Sequence, residues 1–223
     1  SEKKNNLLSP QRFGFRQGYS TELAIITLKE EIKQAIDKGL LVGSVFIDLT
    51  KAFDTINHHV LLAKPESFGM SGPPLSFVKS YLSNQSQMVH VNGHLSTPKL
   101  INVGVPQGSI LGPLLFWMFI NDLPTTLTRT KCILYADDTT IFQSSKSVSS
   151  LQSDLTTDLH NITLWCQANY LQINATKTVL MLFHSPRISL DIQPSLHIGN
   201  IVINVSSEAW FLGVILDSEL KFH

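Results

Sequence analysis

Cys132-Ile133-Leu134-Tyr135-Ala136-Asp137-Asp138-Thr139-Thr140-Ile141-Phe142 is the stretch on which the reading of this chain turns. Two short apolar runs flank a pair of adjacent aspartates, which reads as a hairpin with both carboxylates at its tip. A bare Asp-Asp pair is by itself an ordinary turn former. Upstream, Leu40 to Ile47 is another apolar, β-branched run, the pattern of a buried strand, and it ends on Asp48. If these strands are neighbours, their carboxylates converge, an arrangement that is costly unless cations neutralise it. Mg2+ suits such a cluster, because it takes oxygen ligands and shares its remaining positions with phosphates. Two such ions can activate an attacking hydroxyl and stabilise a leaving phosphate oxygen.

Working outward, Ser20 and Thr21 can cap a helix whose apolar face is Leu23, Ile26, Ile32 and Ile36, ended by Gly39. Pro73-Pro74 starts a helix over Leu75 to Ser83. Met88 to Val91 and Lys99 to Val103 alternate as strands around the turn residues Asn92-Gly93. Gly104 to Gly108 is a loop, followed by an apolar helix through Leu123 that Pro124 closes. Leu151, Leu155, Leu159, Ile162 and Trp165 set a helical period over Val148 to Ala168. Val179 to Phe183 and Trp210 to Leu216 read as strands. The mixture predicts an α+β fold, an antiparallel-rich sheet with helices on one face.

Composition sets limits. The 223 residues are 43% hydrophobic and 15% charged, so the chain is globular, with room for one good core. Seventeen basic and seventeen acidic residues cancel, which argues mildly against a freestanding nucleic-acid binder and leaves that claim to motifs. Cys132 and Cys166 lack metal-site spacing and fit a reduced, intracellular compartment. Ile110 to Ile120 is well short of the ~20 residues that a membrane span needs, so no membrane partner is expected. His58-His59 suggests a metal pair, but adjacent helical residues diverge; His58 reads as capping or packing.

In context the acids acquire a family. Tyr135-Ala136-Asp137-Asp138 resembles the (Y/F)xDD box of reverse transcriptases. Val45-Phe46-Ile47-Asp48-Leu49-Thr50-Lys51-Ala52-Phe53-Asp54 looks like the first catalytic-aspartate motif of the LINE-type (non-LTR) retrotransposon enzymes. Gly104-Val105-Pro106-Gln107-Gly108-Ser109, with Leu111-Gly112-Pro113-Leu114-Leu115-Phe116, is similar to the motif that lies between those boxes. Asn169-Tyr170-Leu171-Gln172-Ile173-Asn174 with Lys177-Thr178 resembles the lysine motif, and Phe211-Leu212-Gly213 the primer-grip hairpin. Gly14-Phe15-Arg16 and Ser20-Thr21 match a block just before the palm. Six ordered blocks span nearly the whole chain.

The resemblance implies a polymerase palm with a remnant of the fingers and no thumb. Residues 1–39 would be a fingers-proximal segment, 40–205 the palm with fingers-side elements inserted at about 66–100, and 206–223 the start of a truncated primer-grip hairpin. Asp48 and Asp137 would ligate two Mg2+ ions (Mn2+ substituting), with Asp138 beside them and the Leu49 carbonyl completing one shell. Phe53 would lie under the incoming sugar and exclude a 2′-hydroxyl, Gln107 and Gly108 would position template base and nucleotide, and Lys177 would protonate pyrophosphate. Phe211, Leu212 and Gly213 would form the primer grip; Asp54 is read as structural, and Arg16 is left without a role. The implied partners are an RNA template, a DNA primer, deoxynucleoside triphosphates and the fingers, thumb and endonuclease regions of a longer polyprotein. Nucleus and cytoplasm are the implied locations. Three departures stand out: Arg12 where relatives carry glutamine, Gln85 where they carry a basic residue, and Pro65 inside a helical stretch. They suit a decaying copy, so a catalytically inactive remnant kept as a binding module is the competing expectation. A nucleotide cyclase or nuclease would have no use for the Gly104–Gly108 block.

Overall fold

The computed structural model describes residues 13–14, 18–67, 70–106, 108–190 and 192–220; Arg12, Arg16 and Gln107 lie outside them. Its centre is a six-stranded sheet. β1 (Leu41–Ile47) is fully buried and sits between β7 (Asp138–Ser145) and β8 (Val179–Phe183), both antiparallel to it. β6 (Lys131–Tyr135) pairs with β7 at one edge; β10 (Ile201–Ser206) and β9 (Ser195–Ile198) complete the other, giving the order β6-β7-β1-β8-β10-β9. Among the described residues, only β8 and β10 pair in parallel. The β9–β10 hairpin has no counterpart in the sequence reading.

A strand buried on both faces needs two covering layers, and β1 divides its side chains between two cores. Leu41, Val45 and Ile47 enter the larger core, with α5 (Leu111–Ile120) and α6 (Val148–Ala168). Gly43 faces the same way: a Cβ there would come within 2.7 Å of Leu155 Cδ1, so the glycine lets α6 close onto the sheet. Val42 and Phe46 enter the smaller core with α1 (Thr21–Asp37) and the terminal hairpin of β11 (Glu208–Phe211) and β12 (Val214–Asp217). The fold is therefore α+β, with α5 and α6 on one face and α1 covering part of the other.

Ser20 caps α1 by accepting from the Leu23 amide at 3.2 Å. The buried stripe is Ala24, Leu28, Ile32 and Ala35, whereas Leu23 and Ile26, expected inside, are exposed. Beyond β1 come α2 (Ala52–Thr55), α3 (His58–Ser67) and α4 (Pro73–Leu82). Asn92-Gly93 turns a ribbon, but one made of β3 (His90–Val91) and β4 (His94–Leu95). Lys99–Leu100, as β5, instead pairs with β2 (Ser86–Gln87). Helix α5 stops at Ile120, and Pro124 belongs to a separate 3-10 turn over Leu123–Thr126, since the proline lacks the amide a continuing helix needs. No helix among the described residues is long and apolar enough to cross a membrane.

Candidate active site

Register decides where the acids meet. Leu41 lies across from Ser145 and Ile47 from Thr139, so the next position across from Asp48 is Asp138. Residues directly opposed on an antiparallel pair share a face. In the adjoining hairpin Tyr135 pairs with Asp138, leaving Ala136 and Asp137 as the two-residue turn. The tip therefore carries Asp137 alone, while Asp138 is the first residue of β7. This corrects the placement of both carboxylates at the tip; the cause is the tightness of the turn. Ala136 takes a left-handed φ of 53°, unusual for a residue with a Cβ.

The three acids feel one another. Burial pushes the Asp138 carboxyl up to about 6, and the charges of Asp137 and Asp48 push the same way. Asp138 nevertheless keeps an exposed side, so the charge contribution is the part that a cation would reverse. Among the described residues no lysine or arginine forms an ion pair with any of the three. Oxygen donors of uncompensated negative charge fit a hard divalent cation. The described residues hold no group of three His, Cys, Asp or Glu side chains close enough to enclose a metal ion by themselves.

A second segment braces Asp48. Asn174 N donates to Asp48 O at 2.8 Å, Thr50 N donates to Gln172 O at 2.8 Å, and Leu49, its side chain buried, bridges Ile173. Thr178 Oγ1 accepts from Asp48 N at 3.4 Å and donates to Asn174 O at 2.9 Å. Lys177 sits in this turn, exposed, its amide donating to Asn174 O. Thr178 was quoted in the lysine motif without a role; its bond to Asp48 has no signal in local sequence.

The loop before α5 is strapped to the segment after Asp48, Val105 N donating to Phe53 O at 2.9 Å. The half-buried Phe53 ring stacks on Phe116 of α5, centroids 4.4 Å apart and planes 22° from parallel. Gly108 takes φ +80°, with open space where a Cβ would stand, so backbone conformation rather than crowding calls for glycine there. In the terminal hairpin Leu212 and Gly213 both have positive φ, 52° and 89°, as a type I′ two-residue turn requires. Phe211 is buried edge-on against Phe46, centroids 5.4 Å apart, whereas Trp210 is 72% exposed.

Two positioning features carried no assignment from sequence. Phe13 N and Gly14 N both donate to Leu134 O, at 2.8 and 3.2 Å. A Cβ at Gly14 would lie 2.5 Å from Ala136 N, so the glycine presses against the turn that carries Asp137. Asp158, wholly buried on α6, accepts from the amides of Thr128, Arg129 and Thr130 and from both threonine hydroxyls. That loop feeds β6. An aspartate inside the Leu155, Leu159, Ile162 stripe was the detectable sign.

A sequence model of the family "Reverse transcriptase (RNA-dependent DNA polymerase)" matches residues 2–216. The "Probable RNA-directed DNA polymerase from transposon BS" of Drosophila melanogaster is 34% identical over 226 residues, covering 98% of this chain and 25% of that protein. The "RNA-directed DNA polymerase from mobile element jockey" of the same species is 31% identical over 220 residues, covering 95% and 23%. The chain thus spans about a quarter of the length of these curated relatives. Among solved structures, apo telomerase from Candida tropicalis, truncated from its C-terminal domain, superposes with a TM-score of 0.64 at 12% identity, covering 96% of this chain and 40% of that one. At that identity the likeness speaks for the fold, a polymerase palm. The family match over nearly the whole length shows that this chain belongs to the reverse transcriptase family, on the branch carried by non-LTR retrotransposons.

Proposed function

We propose that this chain is the catalytic core of an RNA-directed DNA polymerase, extending a DNA 3′-hydroxyl with deoxynucleoside triphosphates on an RNA template. One observation carries the reading: the β1–β7 register runs to Ile47 and Thr139, so Asp48 and Asp138 follow it directly, and the charges of Asp137 and Asp48 both raise the Asp138 carboxyl, with no ion-pair partner for any of the three among the described residues. Asp48 and Asp137 would hold two Mg2+ ions, Mn2+ substituting, with Asp138 and the Leu49 carbonyl at the margin. When bound, the ions supply the charge that activates the primer hydroxyl and stabilises departing pyrophosphate.

The chain's own groups orient the reactants. Phe53, braced by Phe116, offers a ring to the incoming sugar, and its bulk opposes a 2′-hydroxyl. Gly108 lies on the template and nucleotide side, and Gln107, outside the described residues, is assigned the positioning role beside it. Lys177 hands a proton to pyrophosphate from the turn bonded to Asp48. Phe211 anchors the turn whose Leu212 and Gly213 meet the primer. In the cell the reaction belongs to a ribonucleoprotein moving between cytoplasm and nucleus, with fingers, thumb and endonuclease supplied by the rest of a polyprotein. Two buried free cysteines are compatible with those reducing compartments.

Primer extension on an RNA template tests the reading, in Mg2+ and in Mn2+, with the chain joined to fingers and thumb segments. Extension is expected in the parent, and Asp48→Asn or Asp137→Asn should abolish it. Parental rates in either variant would refute the assigned roles, and a parent inactive in both metals would refute the function.

A further inference from the structure

His58 is buried at the start of α3, and its Nε2 lies 2.6 Å from the carbonyl oxygen of Gly104. A carbonyl oxygen only accepts, so Nε2 carries the hydrogen. Backbone bonds run beside it: His58 N to Asn102 O at 3.2 Å and Gly104 N to Ile56 O at 2.7 Å, with Asn57 bridged antiparallel to Val103. Gly104 takes φ +81°, and a Cβ there would come within 2.8 Å of Asp54 O. Residues 102–105 are therefore pressed edge-on against residues 53–58.

This weld closes a ring of contacts. From Val105, bonded to Phe53 O, the chain runs through Gly108 to Ser109. Ser109 Oγ donates to Pro106 O at 2.8 Å and accepts from Gly112 N at 2.9 Å, at the start of α5. Helix α5 then returns to the start by stacking Phe116 on the Phe53 ring. The distance between the Phe53 ring and the Gly108 loop thus depends on where Gly104 is held. His58 supplies the one side-chain bond recorded to the Gly104 carbonyl among the described residues.

We propose that His58 is a positioning residue that sets sugar discrimination: its bond to Gly104 fixes the gap between Phe53 and the Gly108 loop, and with it the ratio of deoxynucleotide to ribonucleotide acceptance. This rests on the polymerase reading. Rejection of one extra hydroxyl is steric, and small misplacements of a shaped site are expensive.

The test compares His58→Ala, His58→Asn and His58→Gln in the chain joined to fingers and thumb segments. Glutamine's Nε2 reaches about where the imidazole Nε2 does, whereas asparagine's amide stops at the position of Nδ1. Two readouts are taken: amide hydrogen exchange at Val105 and Gly108, and the dATP-to-ATP affinity ratio. Affinities come from isothermal titration over an RNA template with a 3′-deoxy-terminated DNA primer in Mg2+. In Ala and Asn, exchange should quicken and the affinity ratio should fall about tenfold, a modest share of what misplacement can cost; Gln should restore both. Unchanged exchange in Ala overturns the latch. Faster exchange with an unchanged ratio overturns its role in discrimination, leaving a packing residue. A parent that binds neither nucleotide overturns the polymerase reading and the discrimination together. That outcome is recognised because exchange at Val105 and Gly108 still separates Ala from Gln.

Discussion

Replacing Asp158 by asparagine removes one charge and no volume. In the parent, one carboxylate oxygen accepts from Thr128 N at 2.9 Å, Thr128 Oγ1 at 3.1 Å and Asn161 Nδ2 at 3.3 Å. The other accepts from Arg129 N at 2.9 Å, Thr130 N at 2.7 Å and Thr130 Oγ1 at 2.8 Å. An asparagine serves only one triad with its oxygen and turns a donor toward the other. Bonds to a charged acceptor are worth about 1.5–3 kcal/mol each and neutral ones about 1. Weakening three bonds and orphaning the Thr128 amide sums to about 4 kcal/mol on that scale. Thr128 and Arg129 are exposed, so water recovers part, and the expected loss is about 3 kcal/mol.

For a domain of this size that loss corresponds to a melting temperature lower by about 6–12 °C, read by far-ultraviolet circular dichroism. The pH dependence supplies a second check. Burial alone would raise the Asp158 carboxyl, but the amide and hydroxyl donors outweigh it and hold the group below the ordinary carboxylate range. A depressed folded-state value means that the contribution is fully present above the unfolded value, about 3.9, and is lost as pH falls through the folded one. The deficit of the Asn variant should be flat from neutral pH down to about 5 and shrink below about 4. A loss under about 1 kcal/mol at pH 7, less than a single neutral bond, or a deficit unaltered at pH 3, would refute the reasoning.

Asp138 titrates with the opposite sign. Its folded value of about 6 exceeds the unfolded one of about 3.9, so the folded state binds more protons between them and stability falls as pH rises through that window. Asp138→Asn should therefore melt higher than the parent at pH 7 and equal to it below about pH 4, with added Mg2+ narrowing the neutral-pH gap; a gap independent of pH would count against it. Gly14→Ala drives a Cβ toward backbone 2.5 Å away, and backbone cannot swing aside as a side-chain tip can. Extension should fall by about 10–100-fold through displacement of the Asp137 turn, with Ala136 exchanging its amide proton faster; a parental rate would show that the turn tolerates the shift.

Strong periodicity made the scaffold legible. Leu151, Leu155, Leu159, Ile162 and Trp165 announce α6, and all five are buried. Leu41–Ile47 announces β1 because a strand covered on both faces needs no polar alternation. The α1 stripe was misjudged because two of its four buried members, Ala24 and Ala35, are too small to mark a face by bulk. Hairpin β9–β10 was passed over since Ser195–Ile198 and Ile201–Ser206 mix apolar with polar residues and are half exposed. At the site, sequence names Asp48, Asp137 and Asp138, but the approach of Asp48 to Asp138 depends on register between strands about 90 residues apart, which no local pattern encodes. The His58–Gly104 and Thr178–Asp48 bonds are of the same kind: both join residues that meet only after the sheet has formed.

The central position of β1 has a consequence for synthesis. Leu41–Ile47 leaves the ribosome long before either flanking strand exists. β7 starts at Asp138 and β8 ends at Phe183, so at roughly 5–20 residues per second the hydrophobic strand waits about 7–27 s for its second neighbour. For that interval two bare edges of Leu-Val-Gly-Ser-Val-Phe-Ile are open to any other nascent chain on the same message. A message read by closely spaced ribosomes places many such edges side by side, which makes chaperone occupancy during translation a determinant of yield for this protein.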